Sequence, residues 1–224
     1  MQSRLCLPIR NTLTGDRLSG SEVPGMLIRA VLFDMDGTLV NSDAAVARAW
    51  STWAGEHGVD AEPAIAMAHG SPSEPTVRRL LPHLDEAAMV VAVARQMELQ
   101  YDDLSDVVPT PGALELLDLL AERGVPWAVV TSADDRLARA RLAAAGIVAP
   151  VLVTVDDIAA GKPDPEGYLR AAELLGVPPA ECLVVEDADV GLAAARAAGA
   201  HTAALRGLDG DLRIGTLADL IPIL

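Results

Sequence analysis

Cysteine occurs twice in 224 residues, phenylalanine once and lysine once, and nowhere do eighteen apolar residues follow one another. Each scarcity removes a class of protein. Cys6 and Cys182 cannot build a disulfide framework or a Cys-rich zinc site, which suits a reducing compartment such as the cytoplasm. Three Trp, two Tyr and one Phe are too few for the stacking platforms that hold single-stranded nucleic acid, and they leave the core to aliphatic residues. The missing long run argues against a membrane-spanning helix. Cations are short too: 17 Lys and Arg face 32 Asp and Glu, a formal charge of −15 that repels nucleic-acid backbones and anionic membranes. Neither partner is expected, and no protein partner is evident.

Apolar residues are plentiful. They make up 51% of the chain against 22% charged, enough for a real core in one sizeable domain with an insertion. Sixteen of the seventeen cations are Arg, so Lys162 stands alone in a chain that uses Arg wherever either cation would serve. That solitary lysine calls for a chemical reason.

Residues 1–25 lack periodicity and the apolar core of a secretory signal, and read as a disordered leader ahead of Met26, where a translation start would be the simpler arrangement. Short apolar runs then recur at 27–33, 127–130, 151–155, 182–186 and 201–205, separated by helical stretches such as Ala113, Leu116, Leu117 and Leu120 with Gly124 as the helix stop. Alternation of this kind predicts an α/β fold: a doubly wound, Rossmann-like parallel sheet whose site lies at the carboxyl ends of the strands. The rhythm breaks over 43–107, where the pattern is helical. Val46, Ala49, Trp50, Trp53 and Ala54 form one apolar stripe, and Val90, Val93, Ala94, Met97 and Tyr101 a second. The expected organisation is a core domain of 26–42 and 108–224 with an inserted helical cap domain of 43–107.

Four strand ends carry polar chemistry. Asp34-Met35-Asp36-Gly37-Thr38 sets two carboxylates two residues apart in a crevice, where a shared cation would relieve their repulsion and desolvation, with Gly37 for the turn. Thr131 and Ser132 place hydroxyls at a strand-to-helix turn suited to an anion, although Ser132 reads equally as an N-cap. Gly161-Lys162-Pro163-Asp164-Pro165 puts the lone lysine on a rigid turn. Glu186-Asp187 end another strand and are left for metal, with Asp189 expected to cap the following helix.

In this order, DMDGT, TSA, GKPDP and EDADVG resemble the haloacid dehalogenase superfamily in its branch with an α-helical cap, over about Met26 to Leu205; the nearest likeness is to bacterial sugar-phosphate phosphatases and glycerol-3-phosphatases. The resemblance implies that Asp34 is the nucleophile and Asp36 the general acid and base. It also implies Mg²⁺ on Asp34, the Asp36 carbonyl and Asp187, with Glu186 ordering the coordination waters, and Thr131 and Lys162 holding the phosphoryl oxygens of a small phosphorylated metabolite. By the same likeness His69 and Gly70 match a cap pair that touches substrate. A basic residue usually follows that pair, but Ser71 stands here, so Arg78 or Arg79 is expected to supply the cation.

A sugar phosphomutase would use the same acids; Thr38, where mutases of this branch often carry an apolar residue, favours a phosphatase. A phosphorylatable signalling receiver lacks the large helical insertion and the late acidic pair. A haloacid dehalogenase proper would lack Asp36, and a dinucleotide-binding dehydrogenase would need a Gly-x-Gly-x-x-Gly loop that the first strand does not open.

Overall fold

The computed structural model describes residues 21–23, 26–68 and 72–224. β1 (Ser21–Val23) pairs antiparallel with β2 (Met26–Ile28), so part of the segment expected to be a disordered leader is a strand, while 1–20, 24 and 25 lie outside the described residues. The single strand expected over 27–33 divides at Arg29. Its amide donates to the Glu181 carbonyl and its guanidinium pairs with the Glu181 carboxylate at 2.9 Å, and β3 (Ala30–Phe33) continues into a different sheet.

After β3 the chain leaves the sheet through β4 (Val40–Asn41) and runs through α1 (Asp43–His57), α2 (Ala61–Ala68), α3 (Ser73–Leu80) and α4 (Glu86–Asp102). It returns through β5 (Val108–Pro109), which pairs antiparallel with β4. The helical excursion is thus closed at its base by a two-stranded neck. The α/β alternation then proceeds as α5 (Ala113–Arg123), β6 (Trp127–Val130), α6 (Asp135–Ala144), β7 (Leu152–Val153), α7 (Glu166–Leu175), β8 (Cys182–Glu186), α8 (Asp189–Ala197), β9 (His201–Ala204) and β10 (Leu212–Arg213). Gly124, at φ 64°, ends α5 as expected. The strand expected over 151–155 keeps only two residues, because Thr154 caps a short 3₁₀ turn over Val155–Asp157.

The main sheet has six parallel strands in the order β10-β9-β8-β3-β6-β7. β3 lies at its centre, with Val31, Phe33 and Val185 facing one apolar cluster beneath α5 and α6, and Ala30, Leu32 and Val184 facing another beneath α7 and α8. Burial on both faces is what a near-continuous apolar strand requires. The chain runs from β3 to β6 on one side and later returns to β8 on the other, so the crevice over the carboxyl end of β3 is the topological switch point of the sheet.

The helical excursion holds a third apolar cluster, with Trp50, Trp53, Ala54, Ala64, Val77, Leu81, Met89 and Ala92 at its centre. Trp53 donates its indole N–H to the Ala92 carbonyl at 2.9 Å and meets Trp50 edge-on. The stripe expected on α1 holds, whereas that on α4 is rotated. Met89, Ala92 and Gln96 are the buried residues, and Val90 is 60% exposed. The rotation has a polar cause: Gln96 turns inward to accept a 2.6 Å hydrogen bond from the Ser73 hydroxyl, which an apolar-periodicity reading discards.

Candidate active site

The carboxyl ends of β3, β6 and β8 bring four sequence-selected groups together. Phe33 lies beside Val129 and Val185 in the ladder, so Asp34 leaves the sheet between the ends of β6 and β8, and its amide donates to the Val185 carbonyl. Lys162 comes from the loop before α7. That loop is stiffened where the amides of Ala159 and Ala160 donate to the Glu166 carboxylate in the first turn of α7. The Lys162 ammonium bridges Asp34 Oδ1 at 2.5 Å and Glu186 Oε1 at 2.7 Å, and also donates to the Val130 carbonyl. Thr131, at the end of β6, is buried, and its hydroxyl oxygen accepts from the Ala133 amide.

Asp34, Glu186 and Asp187 present carboxylate oxygens within 4.8 Å of one another, and all three are buried. Glycines permit this crowding. A Cβ on Gly191 would stand 1.7 Å from Glu186 Oε1, and one on Gly37, at φ 82°, would stand 2.1 Å from Asp187 Oδ2. Asp189, expected to cap α8, is instead its first residue. Ala188 holds the cap position, and the amides of Asp187 and Ala188 donate to Glu186 Oε2, so the acid at the strand end ties down the turn that leads into the helix. Of the two readings of Ser132, the N-cap belongs instead to Asp134, whose side chain accepts from the Leu137 amide.

The charge balance is uneven. Burial pushes the Asp34 carboxyl well above the usual carboxylate range; Lys162 pulls it back, while Glu186 and Asp187 push it further up. Burial and Glu186 raise Asp187 to about 6 despite Arg206. Burial opposes the charge on Lys162, but Asp34 and Glu186 hold its ammonium above the ordinary lysine value. A buried cluster of three acids served by one ammonium and one guanidinium suits a hard divalent cation with oxygen ligands. Beside it a cavity of about 490 Å³ opens between the sheet and the helical excursion, with Asp34, Asp36, Thr131 and Ser132 on its wall. That is the size of a small-molecule site.

Residues 28–199 match the family of haloacid dehalogenase-like hydrolases. The chain belongs to that family. It is 42% identical to hexitol phosphatase A of Escherichia coli over 80% of this chain and 84% of that one, and 35% identical to 2-deoxyglucose-6-phosphate phosphatase 1 of Saccharomyces cerevisiae over 76% and 77%. Among solved structures, a hydrolase from Pseudomonas syringae superposes with a TM-score of 0.78 at 27% identity, over 87% of this chain and 96% of that one.

Other groups in this haloacid dehalogenase-like hydrolase stand differently from the expectation. Arg78 does not line the cavity: it is exposed on α3 and paired with Glu74, which is on the wall, at 2.9 Å and with Glu86 at 2.8 Å. His69, Gly70 and Ser71 lie outside the described residues. The cation that does reach the cavity is Arg141 of α6, whose guanidinium donates to Asp36 Oδ2 at 2.7 Å, while Ser42 donates to Asp36 Oδ1 at 2.6 Å. Tyr168 donates to Glu186 Oε1 at 2.5 Å, and Arg206 pairs with Asp187 at 2.7 Å and Asp43 at 2.9 Å. Sequence reasoning missed all four. Arg141 falls one turn after Leu137 on the apolar face of its helix, and Arg206 follows an apolar strand, so position carried a signal for both.

Proposed function

We propose that the chain is a metal-dependent phosphatase of small phosphorylated sugars or polyols, working through an aspartyl phosphate on Asp34. The observation that carries this reading is the Lys162 bridge from Asp34 to Glu186 at the edge of the cavity. It holds a buried carboxylate oriented and partly neutralised beside space for a ligand. The curated relatives named as phosphatases favour this reading over a phosphomutase.

In this mechanism Asp34 attacks the phosphorus of a bound monoester and the ester oxygen leaves. Asp36, held by Ser42 and Arg141 on the same wall, gives that oxygen its proton and later takes one from the water that opens the aspartyl phosphate. Thr131, Ser132 and Lys162 hold the non-bridging phosphoryl oxygens, and Lys162 offsets charge as it builds in the transition state. Asp34, Asp187 and the Asp36 carbonyl would hold Mg²⁺, with Glu186 beside them. The ion, when bound, supplies the positive charge that lets a carboxylate approach a phosphate dianion. His69 and Gly70 of the helical cap are proposed to face the leaving group. No described helix is long and apolar enough to cross a membrane, and we place the enzyme in the cytoplasm.

The test is inorganic phosphate release from hexose, pentose and polyol phosphates, with and without Mg²⁺. Release that requires the ion is the expected result. An isomeric sugar phosphate without free phosphate would replace this reading with the mutase.

A further inference from the structure

Asp36 is tied to the helical excursion by an unbroken polar chain. Arg141 gives one guanidinium N–H to Asp36 and another to Gln100 Oε1 of α4 at 2.8 Å. The Gln100 amide in turn donates to Ser73 Oγ at 2.9 Å and to Gln96 Oε1 at 2.8 Å. Arg141 has 3% of its side chain exposed, and its Nε finds no partner; neither does the Gln96 amide nitrogen. Both nitrogens are closed to the surface, so what the chain of bonds offers a ligand is the Arg141 fork and the Gln100 amide that line the cavity.

Asp36, Ser73, Gln100 and Arg141 all line the 490 Å³ cavity, and Trp50 and Met97 give it an apolar side. Among the described lining residues Arg141 is the only cation, and it is paired with Asp36 as Glu74 is with Arg78, while Asp134 adds a further carboxylate to the wall. Such a wall repels a second anion and offers donors and acceptors to neutral oxygen.

We propose that Gln100 and Arg141 determine specificity by reading the hydroxyl next to the phosphate ester, so that the substrate is a monoester whose leaving group is uncharged and polyhydroxylated. This rests on the phosphatase reading above and deepens it. Asp36 must lie against the ester oxygen to protonate it, and Arg141 is bonded to that same carboxylate, so the carbon bearing the ester and its neighbour come within reach of the Arg141–Gln100 pair. The pair then exchanges part of its mutual hydrogen bonding for the substrate hydroxyl. An ester lacking that hydroxyl leaves the pair as it stands, and an ester that carries a carboxylate one carbon beyond the hydroxyl brings a second anion against the acidic wall.

The test compares kcat/KM for glycerol 3-phosphate, propyl phosphate and 3-phosphoglycerate, which share a three-carbon frame, in the wild type, Gln100→Leu and Arg141→Lys, with circular dichroism and thermal midpoint to confirm folding. The wild type is expected to favour glycerol 3-phosphate over propyl phosphate by about tenfold or more, with 3-phosphoglycerate the poorest, and Gln100→Leu to shrink the first ratio about tenfold. Arg141→Lys, which keeps the charge but loses the fork, is expected to shrink it as well. Wild-type ratios preserved within about twofold in both folded variants would overturn the inference alone, as would 3-phosphoglycerate proving the best ester. No phosphate from any ester in the wild type would overturn the phosphatase reading and this inference with it.

Discussion

The sheet side of the cavity and its helical side are organised by different chemistry. On the sheet side, Asp34, Thr131, Glu186 and Asp187 sit at strand ends whose backbones are fixed by parallel ladders, and ionisable groups face one another in a buried centre. On the helical side, neutral amides and hydroxyls of Ser73, Gln96 and Gln100 form a network that reaches the sheet through the Arg141 guanidinium. Strand ends place a few groups within tenths of an ångström and tolerate little change. A helix face of amides can be rewritten one residue at a time, which suits the part of an enzyme that selects among leaving groups while the phosphoryl chemistry stays the same.

Changes on the sheet side should therefore be drastic. Asp34→Asn keeps the shape and removes the nucleophile, and phosphate release should fall by about 10⁴-fold or more while circular dichroism is retained. Substantial residual release would assign the chemistry to another group. Lys162→Ala should cost roughly 10²- to 10³-fold in kcat, because charge building on the phosphoryl oxygens loses its nearest fixed cation. Gly191→Ala tests packing rather than charge. Its methyl would occupy the place of Glu186 Oε1, so the carboxylate must move, and both thermal stability and divalent-ion affinity should drop; an unchanged ion titration would show that Glu186 is not needed there.

A smaller effect should follow pH. Asp187 has a folded-state value of about 6 against 3.8 in a free chain, so its stabilising contribution is complete below about pH 4 and is lost as pH rises through 6. Asp34 is shifted in the same direction. In metal-free protein the thermal midpoint should therefore lose this contribution between pH 4 and 7. Mg²⁺, binding the ionised carboxylates, should raise the midpoint more at pH 7 than at pH 5. Equal shifts at both values would remove Asp187 from the ligand set. The smallest effect is expected of Arg78→Ala, whose two ion pairs are exposed and worth little, so activity should stay within about twofold. A large loss would return Arg78 to the cavity wall and weaken the contrast between the two sides.

The same contrast explains what could be read from the sequence. Asp34, Asp36, Lys162, Glu186 and Asp187 each follow an apolar run or stand out by rarity, so strand periodicity pointed to the crevice where they meet. The stripe on α4 was misplaced because Gln96 is buried as a polar residue, and apolar spacing carries no record of a buried amide paired with Ser73. Arg78 and Arg141 are both helical arginines. Arg78 is held by Glu74 one turn back on its own helix and by Glu86, whereas Arg141 lies on the apolar face of its helix one turn after Leu137; spacing hinted at the difference, and the partners Asp36 and Gln100 appear only in the packed structure. Asp189 falls one residue inside α8 rather than at its cap, because the turn from β8 is tied by Glu186 through the amides of Asp187 and Ala188 and the helix starts directly after it.

The central claim is that Asp34 carries the phosphoryl group. The most direct measurement is acid quenching during turnover of a polyol monophosphate with Mg²⁺, followed by peptide mass spectrometry. A phosphoryl adduct on the peptide bearing Asp34, absent in Asp34→Asn, is the predicted result; turnover with no adduct there, or with the adduct on another residue, would contradict it.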